Sequence, residues 1–201
     1  MVTASWAGHV AVVLATGPSL NVDDVEYVKG RAKVIAVNDA YRLAPWADAL
    51  YASDQSWWAK HKGVQEFSGM RYSVSQSRKP KPFGGLPDVC VLANTGTAGL
   101  ETDPRGLRTG KNSGFAAINL AVHFGVSRIL LLGYNLGPVN RVRHFFGDHK
   151  GLGNHSPYHV FIQKFQTLVE PLQKIGVSVI NCTQPTRLRC FPCQPLREAL
   201  S

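Results

Sequence analysis

HVAVVLATGPSL, His9 to Leu20, decides how the rest of the chain is read. His9 to Ala15 is a Val-rich apolar run bounded by Gly8 and Gly17, the pattern of a strand covered on both faces. The run then enters Thr16-Gly17-Pro18-Ser19. Beyond it, LNVDDVEYVKG puts acids early, apolar residues at Val22, Val25 and Val28, and Gly30 at the end. That spells a short helix with a glycine stop. A buried strand turning through a glycine onto a helix start offers backbone N–H groups to an anion, most often a phosphate. An ordinary tight βα turn is spelled the same way, so the turn alone leaves both readings open.

Outward from this unit the alternation repeats. KVIAVN (Lys33 to Asn38) predicts a second parallel strand and ADALYAS (Ala47 to Ser53) a third. DQSWWAKHKG then predicts a short helix capped by Asp54 and stopped at Gly63. Between Phe67 and Thr109 the pattern blurs into an irregular excursion, a small subdomain or flap. MRYSVS and DVCVLA are strand candidates there, among turn-rich KPKPFGG, NTGTAG and DPRG. Order returns at NSGFAAINLAVHFG (Asn112 to Gly125), a helix with Ala116, Ala117, Leu120, Ala121 and Phe124 on one face. VSRILLLG (Val126 to Gly133) is the most strand-like segment and reads as central. A polar lid loop, about 134–156, follows. A helix from about Pro157 to Ile175, with Pro157 in its first turn and Pro171 as a kink, leads to a last strand in GVSVINCT.

Alternating strands and helices with near-continuous apolar strands predict a single α/β domain, Rossmann-like, with three α/β/α layers and a mainly parallel sheet. Ligands of such sheets lie at the carboxyl ends of the strands. Those ends carry Thr16-Gly17-Pro18-Ser19, Asn38-Asp39, Ser53-Asp54 and Gly133-Tyr134-Asn135, all small or polar residues directly after apolar runs. That convergence predicts a nucleotide-type site.

Length and charge bound the reading. The chain has 201 residues, enough for one well-buried domain, and 44% apolar residues with no run of membrane-spanning length. The start MVTASWAGHV lacks a basic segment followed by an apolar core, so a cytoplasmic protein without a signal peptide or membrane span is expected. Net charge is +9, from 22 Lys+Arg against 13 Asp+Glu, which favours anionic partners: nucleotides, phosphorylated glycans or nucleic acid. The basic residues are dispersed, with local concentrations in SRKPKP (Ser77 to Pro82), which reads best as a solvated basic surface, and RVRHFFGDHK (Arg141 to Lys150), mixed with aromatics as a binding loop would be. Cys182, Cys190 and Cys193 lie together in sequence, but the paired-knuckle spacing of a zinc site is missing; reduced thiols are the plainer reading. Homo-oligomerisation is open.

Several chemistries have no motif here. GxGxxG is absent, and Asp39, the acid a dinucleotide ribose would need, lies just past the strand end. Neither GxxxxGK[ST] nor GxSxG occurs.

G-P-S-L after the first strand, V-N-D-A-Y after the second, and N-S-G opening the helix that leads into ILLLGYN resemble the bacterial sialyltransferase family. That family includes lipooligosaccharide sialyltransferases and shares its architecture with phage-encoded and 6-hydroxymethylpterin diphosphokinase-like relatives. The resemblance spans about Val10 to Phe191 and is weak between Phe67 and Thr109. The family's first motif reads Gly-Asn-Gly-Pro-Ser-Leu and holds the nucleotide phosphate. Ala15 and Thr16 stand here for its first two residues. The resemblance assigns nucleotide contacts to Thr16, Gly17, Pro18, Ser19, Asn38, Ser113 and Gly114, and to Tyr134-Asn135, which replace the family's Ile-Asp; Ser53 and Asp54 join them as strand-end residues. It implies a nucleotide-sugar donor of the CMP-sialic-acid kind and inverting transfer to a hydroxyl acceptor, a glycan or modified DNA. No metal or other cofactor is implied. The family's general base is a histidine just before the last long helix. His159 and His155 occupy that place, with His144 and His149 as competitors. The departing phosphate would meet the N–H groups of Gly17 to Ser19 and a hydroxyl of Ser19 or Tyr158. The alternatives are a diphosphokinase, with Mg²⁺ on Asp54, Asp39 or Asp148, and a non-catalytic nucleotide-binding protein.

Overall fold

The computed structural model describes residues 1–86, 88–147 and 156–201. Each apolar run predicted to be a strand forms one. β1 is Val10–Leu14, β2 Lys33–Val37, β3 Ala49–Tyr51, β4 Met70–Val74, β5 Val89–Gly96, β6 Gly106–Arg108, β7 Arg128–Leu132 and β8 Ser178–Asn181. They form one sheet in the order β6-β5-β4-β3-β2-β1-β7-β8, and every pairing is parallel. The chain winds outward from β1 to β6, then returns to build β7 and β8 on β1's other side. The order therefore reverses between β1 and β7, the place where open α/β sheets form a crevice.

Helices α1 (Val22–Val28), α2 (Gln55–Lys60), α3 (Ser113–His123), α4 (Tyr158–Gln166), α5 (Val169–Lys174) and α6 (Leu196–Ala199) cover both faces, with a 3₁₀ turn at Asn38–Arg42. Side chains alternate across the strands and divide the core in two. Ala11, Val13, Ile35, Ile129 and Leu131 pack under α3, Phe165 and Leu172. Val12, Leu14, Val34, Ala36, Leu130 and Leu132 pack under Val25, Val28 and Trp58. The protein is thus a Rossmann-like three-layer α/β/α domain. Ala11 to Leu14 expose nothing, which explains why β1 is apolar throughout: neither face meets water.

The stretch 67–109 expected as an excursion contributes β4, β5 and β6, extending the sheet to its edge. β5 shifts register at Asn94/Gly96, and a buried amide ties this edge to the core. Asn119 of α3 accepts from the Glu101 N–H at 2.9 Å and the Arg108 N–H at 3.2 Å, and donates to the Glu101 carbonyl at 2.9 Å. The helix expected from 157 to 175 is two helices, broken at Thr167 and Leu168. Pro171 supplies the reason, since its ring displaces the carbonyl four residues earlier, at Thr167, and its nitrogen has no proton to offer it. Asp54 stands at the N-cap of α2, but its side chain makes no capping bond, and the helix ends at Lys60 rather than at Gly63.

Candidate functional site

The carboxyl ends of β1, β2 and β7 and the N-terminus of α3 surround an inner chamber of about 120 Å³. Thr16, Gly17, Asn38, Ser113, Gly114, Tyr134 and Asn135 line it, joined by Arg143, His144, Tyr158 and Phe161. It opens onto an outer chamber of about 440 Å³ over the ends of β3, β4 and β5, lined by Ser53, Asp54, Ser75, Gln76, Asn94, Thr109 and Lys111. Asn38, Asn112, Ser113, His144, Ser156 and Phe161 border both. The outer chamber alone exceeds the roughly 300 Å³ at which small-molecule sites begin.

The turn after β1 does not offer its N–H groups to a ligand. The Gly17 N–H donates to the Gly133 carbonyl at 2.9 Å, and the Leu20 N–H to the Gly17 carbonyl at 3.1 Å. The Ser19 N–H and hydroxyl both donate to Asn135 Oδ1, at 3.2 and 2.9 Å. Pro18 has none. The expected phosphate cradle at Gly17 to Ser19 is therefore corrected: its donors already bolt β1's exit to β7's. Pro18 and Ser19 border neither chamber; Ser19 faces a separate cavity with Asp24 and Cys182. Gly17 is required for this bolt, because a Cβ there would run into the Gly133 carbonyl and Asn135 Oδ1. Asn135, buried, completes the tie by donating to the Pro185 carbonyl. Tyr134 is also structural in its polar end: its hydroxyl donates to the Gly114 carbonyl at 2.9 Å, and burial pushes it well above the ordinary tyrosine range.

Donors for an anion come instead from α3. Asn112 caps the helix by accepting from the Phe115 N–H at 3.2 Å, leaving the first-turn N–H groups of Ser113 and Gly114 outside the helix ladder. The Ser113 hydroxyl donates to Ser53 Oγ at 3.1 Å and accepts from the Ser53 N–H at 3.3 Å, joining α3 to the end of β3. Lys111 enters this turn at φ 57°, directly after Gly110, so a cation is held in a left-handed conformation at the helix start. Arg143 adds a second cation on the inner side. A helix N-terminus flanked by two cations favours negative charge.

Asn38 adds an acceptor. It sits at φ 49° where β2 enters the 3₁₀ turn, and its Oδ1 is buried without a hydrogen-bond partner among the described residues. A left-handed residue with an orphaned oxygen at a strand end is the kind of strain that functional sites retain. Asp39 points the other way. It accepts from Arg42 at 2.8 Å and from Trp57 Nε1 at 3.0 Å, in a buried cluster where the Trp57 and His61 rings stack at 4.2 Å. Asp39 is therefore removed from the ribose and metal roles considered for it.

Of the candidate histidines, His144 is in the cleft. Its Nδ1 lies 3.1 Å from Thr16 Oγ1, its ring stacks on Phe146, and the neighbouring Phe145 N–H donates to the Thr16 carbonyl at 3.1 Å. His159 is exposed on α4 and borders neither chamber, which corrects its expected place. The preference for it rested on nearness in sequence to the last helix, and α4 turns that side chain outward. His155, His149 and Asp148 lie outside the described residues. Sequence reasoning missed Lys111, Ser75, Gln76 and Asn94. The rule that found Asn38, small or polar residues after an apolar strand, would have found Ser75 and Gln76 had β4 been given that status.

Burial pushes the Cys182 thiol up to about 12 and the Cys190 thiol up to about 11. Among the described residues, no group of three His, Cys, Asp or Glu side chains is gathered as a metal-ligand set, Cys182, Cys190 and Cys193 included. No described helix is long and apolar enough to cross a membrane.

No protein-family model matches the chain, and neither a curated protein nor a solved structure matches it.

Proposed function

We propose that the protein is a transferase that binds a nucleotide sugar in the two-chambered cleft and passes the sugar to an acceptor hydroxyl. The observation that carries this reading is His144, the one described histidine that borders both chambers, beside the cationic start of α3. The phosphate lies at Ser113 and Gly114, between Lys111 and Arg143, and Asn38 Oδ1 accepts from the nucleotide's polar edge. His144 Nδ1 and Thr16 Oγ1 are in hydrogen-bond contact; in the tautomer that donates Nδ1–H to the hydroxyl, the lone pair is on Nε2, and a neutral imidazole suits proton abstraction near pH 7. The acceptor oxygen attacks the sugar's anomeric carbon while the bond from that carbon to the phosphate oxygen breaks. The nucleotide leaves with the electron pair, His144 takes the hydroxyl proton, and the anomeric configuration inverts. The α3 N–H groups and the two cations stabilise the departing phosphate.

The resemblance to bacterial sialyltransferases makes a CMP-linked sugar the first donor to try. The diphosphokinase alternative needs carboxylates at the phosphates. Asp39 is engaged elsewhere, so Asp54 alone among the described cleft-lining residues is left for it.

The test is calorimetry and thermal shift with CMP-, UDP-, GDP- and ADP-sugars, with and without Mg²⁺, followed by transfer assays with the donor that binds. His144→Ala should lower turnover by about 10²-fold or more while nucleotide affinity stays within about threefold. A folded protein that binds none of these donors ends the proposal.

A further inference from the structure

The mouth of the cleft carries more positive charge than one nucleotide requires. Ser75 and Gln76 line the outer chamber, and the chain then runs directly into Arg78, Lys79 and Lys81, all exposed. This segment is held in place: the Asn94 N–H donates to the Ser77 carbonyl at 2.9 Å, Ser75 and Ser77 hydroxyls lie 3.2 Å apart, and Phe83 is buried beyond it. Lys111 stands on the α3 side of the same chamber. None of Arg78, Lys79, Lys81 and Lys111 forms an ion pair among the described residues. Acids elsewhere do pair: Asp48 with Lys33, Asp103 with Arg105, Glu170 with Lys174. Part of the excess of the +9 chain thus lies in an exposed segment that leads directly out of the cavity's wall. Three exposed cations within a stretch of four residues attract an extended anion.

The chamber behind that lip suggests what the anion carries. It holds about 440 Å³, and hydroxyls and amides make up most of its walls, with the Asp54 carboxylate, Lys111, His144 and the Phe161 ring among them. Such a lining hydrogen-bonds the edges of a polar unit and stacks on its face. A phosphate chain across the rim with one unit entering a cavity is how a single nucleic-acid strand binds, its backbone on cations and an unpaired nucleotide inserted. A duplex presents a base to a cavity only after unstacking and unpairing it, a cost that a single strand does not carry.

We propose that single-stranded nucleic acid is the acceptor: its backbone lies across Arg78, Lys79 and Lys81, and one nucleotide enters the outer chamber. This rests on the transferase reading of the same cleft, since that nucleotide would present its hydroxyl to His144. Binding of the strand itself is measurable without any transfer.

The experiment is fluorescence anisotropy of the full chain with a labelled 20-nucleotide single strand over a series of salt concentrations. The comparisons are the variant R78A/K79A/K81A, a duplex of the same sequence, and heparin as a competing sulfated glycan. Log affinity should fall linearly with log salt, and the triple variant should flatten that slope by about 2, at roughly 0.7 per lost phosphate contact on a single strand. The single strand should bind more tightly than the duplex. The three side chains are exposed, so the variant's melting temperature should be unchanged. The donor affinity measured by calorimetry should also be unchanged, which separates this proposal from the transferase reading: loss of donor binding in the wild type tests only the latter. A slope unaltered by the triple substitution overturns the proposal. Preference for the duplex does so as well, and so does displacement of the strand by heparin at equal charge, which would assign the rim to an anionic glycan.

Discussion

Asn38 separates what the cleft needs for stability from what it needs for binding. A buried, unpartnered amide oxygen costs about 1–3 kcal/mol, and its left-handed backbone at φ 49° is uncomfortable for most side chains. Replacing it by glycine removes the orphaned oxygen and leaves a residue that adopts this conformation freely. Asn38→Gly should therefore hold or raise the melting temperature while weakening nucleotide binding by about tenfold, the worth of roughly one hydrogen bond in the complex; paired thermal-shift and calorimetry data check both. Gly17 shows the opposite case. Its sequence context suggested close approach of a phosphate, yet what approaches is the protein itself, the Gly133 carbonyl and Asn135. Glycines that admit a ligand and glycines that admit a neighbouring strand are spelled alike, so the distinction was not legible before the fold was known.

α3 is the element on which the site and the sheet edge both depend. Its N-terminus faces the cleft, and one turn from its end Asn119 holds the backbone of Glu101 and Arg108. Asn119→Ala removes the partner of three half-buried backbone groups, an expected loss of about 2–4 kcal/mol. Denaturant unfolding measures the loss, and amide exchange should rise first in residues 101–108. The elements that sequence made legible are those of the centre: β1, β2 and β7 are apolar because both faces are covered, and α3 shows its small apolar face. β4 and β5 were blurred because edge-side strands carry polar residues, such as Arg71, Ser73 and Asn94, amid turn signals. The break between α4 and α5 falls a full turn before the proline that causes it, which puts Thr167 outside any local signal. The site was legible where a strand ended in a polar residue, at Asn38 and Ser53, and at the Asn-Ser-Gly opening of α3. Its histidine was not, because which side of a loop or helix faces the cleft depends on contacts such as that of His144 with Thr16.

Across the whole molecule, the buried histidines set how acid acts. His123, against the Gly106 carbonyl at 2.8 Å, and His61, in the cluster around Asp39, are both held below the ordinary value of 6.5, in each case chiefly by burial. Protons therefore bind the unfolded chain more readily than the folded one. The stability these groups contribute is complete above pH 6.5 and is lost as pH falls toward their lowered values. The melting temperature should drop between pH 7 and pH 5, and His123→Gln, which keeps an N–H for Gly106, should make that drop shallower in a thermal-shift series. The strand order has a separate consequence for how the molecule comes into being. Val10–Leu14 is made well before Arg128–Leu132, which pairs along its other side and follows only after the whole β2 to β6 half. Until then the nascent chain carries a fully apolar strand with an unpaired edge, an invitation to wrong partners. Gly133 and Asn135, which fasten the turn after β1, arrive with that same late segment. A ligand of the cleft can therefore stabilise only chains whose synthesis has passed this seam, so occupancy of the site counts molecules in which β1 has both its neighbours.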